Sequence, residues 1–294
     1  MKGIYLILVM LFLAAVPVKA QQHELGFFAG GSYYIGDINP YYHFAQTQPA
    51  LGLLYRYNIN YRWAIRLHGM YGSITGSDAT IKYNESRNLS FKSPLMEIGT
   101  QVELTYYRFQ IGSHKDYFTP YLFTGFSFFK FKPMAELNGE WYNLQALGTE
   151  GQGTTAYPDR KPYSLAGLSF PMGMGIKIGL GSSTVLGFEW GLRKTFTDYL
   201  DDVSTTYANP NVLASQNTSA AAYLGDPSEN QTYEKTGFQR GDSNTNDWYS
   251  FAGMTLTFKI KDKSDHCPGV NKSRGNWLKK QWQKLKMEPS PSFL

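Results

Sequence analysis

The sequence predicts an all-β fold: an eight-stranded antiparallel transmembrane up-and-down β-barrel with a short C-terminal helical tail. Three observations predict it. Segments with period-two alternation, rich in aromatic and β-branched residues, recur between clusters of Gly, Pro, Asn and Asp. The links between them alternate short and long, the pattern of outer-membrane barrels, whose periplasmic turns are short and external loops long. The chain is also 16% aromatic and only 17% charged, against roughly a quarter charged in soluble domains. A polytopic helical membrane protein is excluded, because the one long apolar run, Ile4 to Val18, is shorter than the ~20 residues a helix needs to cross a bilayer.

That apolar run reads as a secretory signal over residues 1–20. Lys2 supplies the positive start, Ile4 to Ala15 the apolar segment, and Val18, Lys19 and Ala20 precede a cut ahead of Gln21. Eight strand segments follow over 21–260: Leu25 to Gly36, Ala50 to Asn58, Tyr61 to Gly72, Pro94 to Tyr107, Thr119 to Lys130, Ser169 to Leu180, Thr184 to Thr195, and Trp248 to Ile260. Long links of 37–49, 73–93, 131–168 and 196–247 are expected outside. Short links at 59–60, 108–118 and 181–183 are expected inside, with both termini periplasmic.

The two faces of the segments distinguish a membrane barrel from a soluble sandwich. In the fourth, Met96, Ile98, Thr100, Val102 and Leu104 alternate with Glu97, Gly99, Gln101, Glu103 and Thr105. In the sixth, Met172, Met174, Ile176 and Ile178 alternate with Gly173, Gly175, Lys177 and Gly179; in the seventh, Leu186, Phe188, Trp190 and Leu192 with Val185, Gly187, Glu189, Gly191 and Arg193. The eighth sets Trp248, Met254, Leu256 and Phe258 against Gly253, Thr255, Thr257 and Lys259. One face is apolar, and the other mixes Gly with charges of both signs. A small barrel has an interior only just wide enough for side chains. Gly there relieves crowding, and Glu97, Glu103, Lys177, Glu189 and Arg193 are expected to form a salt-bridged interior network that plugs the lumen.

The formal charge of +5 suggests nucleic acid until it is located. Residues 261–294 hold eight Lys/Arg against three acids, a local excess of +5; without Lys2 and Lys19 the rest carries −2. A helix is expected from Trp277 to Met287, with Asn276 as N-cap and Pro289 as stop. At about 100° per residue, Trp277, Leu278, Gln281, Trp282 and Leu285 share one arc, while Lys279, Lys280, Gln283 and Lys286 occupy the other side. Such a basic amphipathic helix lies on an anionic membrane or docks on a protein. Trp277, Leu278, Lys279, Lys280, Trp282, Lys284 and Leu285 are therefore the expected partner-binding residues. Neither nucleic acid nor a small-molecule substrate is expected as a partner. Cys267, the sole cysteine, excludes an internal disulfide framework and a four-Cys zinc site, and reads as an unpaired thiol.

Other motifs weaken on inspection. Asp242 to Asp247 begins like an EF-hand loop, but Asp247 stands where the sharp turn needs Gly, and the twelfth position is Gly253 rather than Glu. No Gly-x-Ser-x-Gly elbow is present, and His43, His68 and His114 fall in an outer loop, a strand and an inner turn. No catalytic residue, cofactor or metal is expected. An aqueous pore needs about twice as many strands.

The runs Glu24 to Pro40, Leu54 to Asn58, Trp63 to Arg66 and Tyr71 to Asp78 resemble the PorG family of outer-membrane β-barrels, mainly within the first 80 residues. The resemblance implies a non-enzymatic component of the type IX secretion machinery that contacts a periplasmic ring containing a lipoprotein. It shifts the reading of the tail toward protein docking. A standalone barrel that binds surface ligands through its outer loops, and a lipid-modifying barrel enzyme using His43, are the alternatives.

Overall fold

The computed structural model describes residues 22–229 and 233–260; the signal segment expected at 1–20 and the tail at 261–294 lie outside the described residues. Ten strands are present among these: β1 (Gln22–Ile35), β2 (Gln48–Asn58), β3 (Trp63–Ser77), β4 (Ser90–Thr105), β5 (Phe118–Phe131), β6 (Met134–Leu137), β7 (Glu140–Asn143), β8 (Ala166–Leu180), β9 (Thr184–Thr195) and β10 (Trp248–Ile260). Eight of them close a barrel in the order β3-β2-β1-β10-β9-β8-β5-β4, with β4 returning to β3. Every pairing is antiparallel, and the first and last strands meet, since β1 runs beside β10 from His23 opposite Ile260 to Ile35 opposite Trp248. The ladder between β5 and β8 skips the level of Gly125 and Phe126, where the opposing strand carries Pro171, which has no amide hydrogen to donate.

Each strand obeys the period-two rule. In β3 the burial alternates from Trp63 to Gly72 without a break, with Ala64, Arg66, His68 and Met70 inside and Trp63, Ile65, Leu67 and Tyr71 outside. The lumen is so narrow that inward glycines face aromatics. A Cβ on Gly173 or Gly191, cross-strand partners, would lie 2.5 or 2.6 Å from Cζ of Phe123, and one on Gly175 would lie 2.7 Å from the Tyr121 ring. The glycines thus make room chiefly for two inward aromatics, and for long charged chains second.

The strands outrun the apolar segments at the end that carries the long links. β3 continues to Ser77 and β4 starts at Ser90, with Thr75 opposite Lys92 and Ser77 opposite Ser90. The link expected at 73–93 shrinks to 78–89, because backbone pairing persists where the outward residues have already become polar. The link expected at 131–168 contains the β6–β7 hairpin, joined to β4 where Met134 pairs with Lys92, and a helical turn at Leu144–Leu147. The link at 196–247 carries a helix at Ser219–Gly225, capped by the Thr218 side chain. Leu144, Leu200, Val203 and Leu224 from these links share one hydrophobic core with Phe28, Phe91, Leu95, Phe129 and Phe251 of the barrel. The loop end of the lumen is therefore filled by apolar side chains. Among the described residues no helix is long and apolar enough to cross a membrane.

Candidate functional site

Alternation sends nine ionisable side chains of the wall strands into the lumen, each buried: Glu24, Glu97, Glu103 and Glu189, Arg56, Arg66, Lys177 and Arg193, and His68. Four acids face Arg56, Arg66, Arg193 and Lys177, so the formal charges of these groups balance. At the end bearing the short turns, Glu103 lies 2.8 Å from Arg56 Nε, 3.4 Å from Arg66 Nε and 2.5 Å from Lys177 Nζ. Arg56 and Arg66 are directly opposite on β2 and β3, a like-charge pair that costs energy unless an anion sits between them. Glu24 accepts from Arg56 (2.7 Å), Asn58 (2.6 Å) and Thr257 (2.5 Å), and Glu189 from Arg66 (2.5 Å) and Tyr121 (2.7 Å). Arg66 further donates through Nε to Gln101 at 3.0 Å. Nearer the loop end, Glu97 accepts from Tyr249 (2.5 Å) and from His68 Nε2 (2.7 Å), with Arg193 Nε 3.3 Å away.

Of the five interior charges read from the sequence, the structure pairs Lys177 with Glu103 and Arg193 with Glu97, and it pairs Glu189 with Arg66. Glu24, Arg56, Arg66 and His68 are additional members. Their signal was present, since each alternates with outward apolar residues such as Leu25, Leu53, Ile65 and Leu67. Trp277, Leu278, Lys279, Lys280, Trp282, Lys284 and Leu285 lie outside the described residues.

Ser127, His68 and Glu97 superficially suggest a catalytic triad. Both contacts, however, use the same ring nitrogen: Nε2 lies 2.7 Å from Glu97 and 3.4 Å from Ser127 Oγ, while Nδ1 has no partner. A triad needs the acid on one nitrogen and the nucleophile on the other, and all three residues are buried. His43 instead contacts Tyr33 Oη at 3.1 Å, which also accepts from Trp190 Nε1 at 2.7 Å, in a cluster of rings on the outside of the wall.

Beyond the lumen the long links form a polar cap. Asp78, the residue after β3, takes two hydrogen bonds from Arg87 (2.8 Å each) and one from the Leu89 amide (2.9 Å). Arg87 also donates to the carbonyls of Arg240 (2.7 Å) and Asp37 (3.0 Å). Glu150 accepts from Arg240 (2.9 Å), from the Ser204 and Thr205 amides (3.0 and 3.1 Å) and from the Thr205 hydroxyl (2.6 Å). All four long links meet through these contacts. Asp242, at the start of the EF-hand-like run, accepts from the Asn244 amide at 3.2 Å in a local turn. Asp247, at its end, turns inward to the Leu200 amide at 2.8 Å. The run is two separate devices, one a turn and the other a tie across the loop.

The cap is short of cations. Asp78, Glu150, Asp198, Asp201, Asp202 and Asp247 are buried there with Arg87 and Arg240. Burial and neighbouring Asp37 and Asp201 push Asp198 up to about 9. Burial and Asp37 push Asp201 up to about 8, and burial brings Asp37 and Asp202 to about 6. Asp247 is raised well above the ordinary range by burial and by Asp201 and Asp198.

The outer wall is apolar. Leu25, Leu51, Leu53, Leu67, Ile98, Leu122, Phe126, Met174, Phe188 and Met254 are all exposed, Ile98 at 67%. Trp63, Tyr106, Tyr107, Tyr117 and Phe118 stand exposed at the turn end, and Tyr41, Tyr42, Phe44, Tyr83 and Trp141 at the loop end.

A comparison with curated proteins found no match. Among solved structures, the chain is similar to Ail, the attachment invasion locus protein of Yersinia pestis (10% identity, 82% of this chain and 100% of that one, TM-score 0.39). It is also similar to Neisserial surface protein A (9%, 81% and 97%, TM-score 0.41) and to the outer membrane protein OprG from Pseudomonas aeruginosa (9%, 83% and 98%, TM-score 0.36). Residues 3–224 match the family described as a domain of unknown function, DUF6089. The chain belongs to the DUF6089 family.

Proposed function

We propose that this protein is a non-conducting outer-membrane barrel that serves as a structural component of the type IX secretion machinery, with both termini periplasmic and its basic tail contacting the lipoprotein-containing ring. The observation that carries the membrane reading is the outer wall. A continuous exposed surface of Leu, Ile, Met and Phe bounded by aromatic rings at both ends is costly in water, and it is the surface a bilayer requires. The outward lysines Lys92, Lys130 and Lys194 all stand at the loop end of their strands and are exposed, where headgroups rather than hydrocarbon would meet them. A structural role is favoured over a conducting one because the lumen is occupied by buried, paired charged side chains, with a buried apolar cluster at its loop end. The secretion assignment rests on the sequence resemblance at Glu24 to Pro40, Leu54 to Asn58, Trp63 to Arg66 and Tyr71 to Asp78.

The test is co-purification from solubilised membranes, comparing the full chain with one truncated after Lys263. Ring proteins are expected with the first and not the second, while both insert as heat-modifiable barrels. Retention of ring association and of cargo secretion after truncation would overturn the docking role. Steady unitary currents from the purified barrel in planar bilayers would overturn the non-conducting one. The interlocked cap, with Tyr41, Tyr42, Tyr83 and Phe238 exposed upon it, favours a second reading as a surface-binding barrel. Under that reading deletion leaves secretion intact and changes adhesion.

A further inference from the structure

Tyr34, near the loop end of β1, directs its hydroxyl at two carboxylates: Asp201 Oδ2 at 2.5 Å and Asp247 Oδ1 at 3.0 Å. All three residues are buried. A phenol carries one proton and donates one hydrogen bond. Two ionised carboxylates therefore cannot both be satisfied at this oxygen. A single phenol proton cannot serve both contacts at full strength, and a carboxylic acid proton on Asp201 or Asp247, donated to the phenol oxygen, satisfies the second. The remaining oxygens are already committed, Asp201 Oδ1 to the Val203 amide (3.0 Å) and Asp247 Oδ2 to the Leu200 amide (2.8 Å).

These partners sit at the two ends of the longest link. Asp201 and the amides of Leu200 and Val203 belong to its beginning, Asp247 to its last position before β10, and Tyr34 to the wall. The three side chains thus tie both ends of the 196–247 link to the barrel. We propose that a proton shared among Tyr34, Asp201 and Asp247 locks the cap over the barrel mouth, so that the cap loosens as the external pH rises.

The charges acting on this group are Asp37 after β1, Arg87 between β3 and β4, and Asp198 in the 196–247 link. Glu150, between β7 and β8, and Asp242 act in turn on Asp37, and Glu150 also on Asp198. The two buried arginines are already engaged, Arg87 with Asp78 and Arg240 with Glu150 and the carbonyl of Asp202, so neither is free to replace the missing proton. The direction follows from the raised carboxyls. A group held above its unfolded value stabilises fully below that value, 3.8 for Asp, and its contribution is lost as pH rises through the folded value, about 8 for Asp201. Asp198, raised to about 9 by burial and the same neighbours, adds repulsion at the upper end of that window.

The test is hydrogen exchange of the purified full chain in detergent, corrected for the intrinsic pH dependence, at about pH 6 and about pH 9. Protection of the Leu200 and Val203 amides and of the 240–247 segment is expected to fall by about tenfold or more between the two, while the barrel strands keep theirs. Asp247→Asn replaces the titrating proton with a permanent N–H donor and should leave cap protection much less dependent on pH than in the parent, the residual dependence coming from Asp37, Asp198 and Asp202; Asp201→Asn is the parallel variant should the first not fold. Tyr34→Phe should lower protection at both values. Cap protection in the unaltered chain that does not change with pH would overturn the proposal. So would full protection restored at the higher pH by millimolar calcium chloride alone, since a bound cation rather than a proton would then balance the carboxylates.

Discussion

Glu103→Gln probes the lumen at the point where one anion serves three cations. The change keeps the shape of the side chain and removes its charge. The separations of 2.8, 3.4 and 2.5 Å to Arg56, Arg66 and Lys177 each correspond to roughly 5–7 kcal/mol of gross attraction at an effective dielectric of about 20. Most of that offsets the desolvation of the charges. What remains when one partner of a buried pair is removed is about 3–5 kcal/mol, and the upper end applies here because Arg56 and Arg66 then face each other across β2 and β3 with no anion between them. The assay is the temperature at which the compact band converts to the unfolded one on semi-native gels, paired with urea unfolding in detergent. Glu103→Gln combined with Lys177→Met restores the charge balance and should recover part of the loss. If Glu103→Gln unfolds within about 0.5 kcal/mol of the parent, the range of an inconsequential surface change, then the lumen is hydrated and the ion network does not hold the barrel.

Other outcomes follow from single contacts. Gly191→Val would set a Cβ 2.6 Å from Phe123 Cζ and 2.8 Å from an Arg193 nitrogen, an overpacking worth about 1–3 kcal/mol that urea unfolding should register. Glu150→Gln weakens the junction of the long links; protease nicking near Thr205 should rise while the gel transition of the barrel stays in place. Asp198→Asn removes a carboxyl pushed up to about 9 by burial and its acidic neighbours. The variant's cap protection in hydrogen exchange should exceed the parent's by a margin that widens as pH rises from about 4 towards about 9 and levels off above it, where the parent side chain is ionised in both the closed and the open cap.

The barrel was legible because its wall is written in a local code. Met96 and Ile98 against Glu97 and Gly99, or Met174 and Ile176 against Gly175 and Lys177, disclose inside and outside within four residues, and link lengths order the strands. The same code applied to Leu25 and Phe27 turns Glu24 inward, and applied to Ile65 and Leu67 turns Arg66 and His68 inward. Which charges meet is less visible. Lys177 to Glu103 spans three strands of sequence, and their meeting depends on register and closure, which alternation leaves open. The cap was illegible for a stronger reason. Arg87 meeting Asp37 and Arg240, or Glu150 meeting Ser204, joins residues in links with no periodicity, so nothing local marks them as buried. Polar composition there reads as solvated loop until the partners are seen. The strand extensions to Ser77 and from Ser90 escaped for a related reason: pairing is a property of the backbone, and it continued where the side chains no longer advertised a membrane.

The seam between β1 and β10 makes this an all-or-nothing object in time. Glu24 obtains the hydroxyl of Thr257, and Tyr34 the carboxylate of Asp247, only after nearly the whole chain has been delivered. Until then two strand edges stand open and a buried-to-be acid lacks one of its donors. Closing such distant partners carries a loop-entropy cost that slows folding, and open apolar edges invite pairing with other chains. A chain that has not yet formed this seam carries two open edges, and the pairing of β10 with β1 converts a vulnerable sheet into a cylinder without edges.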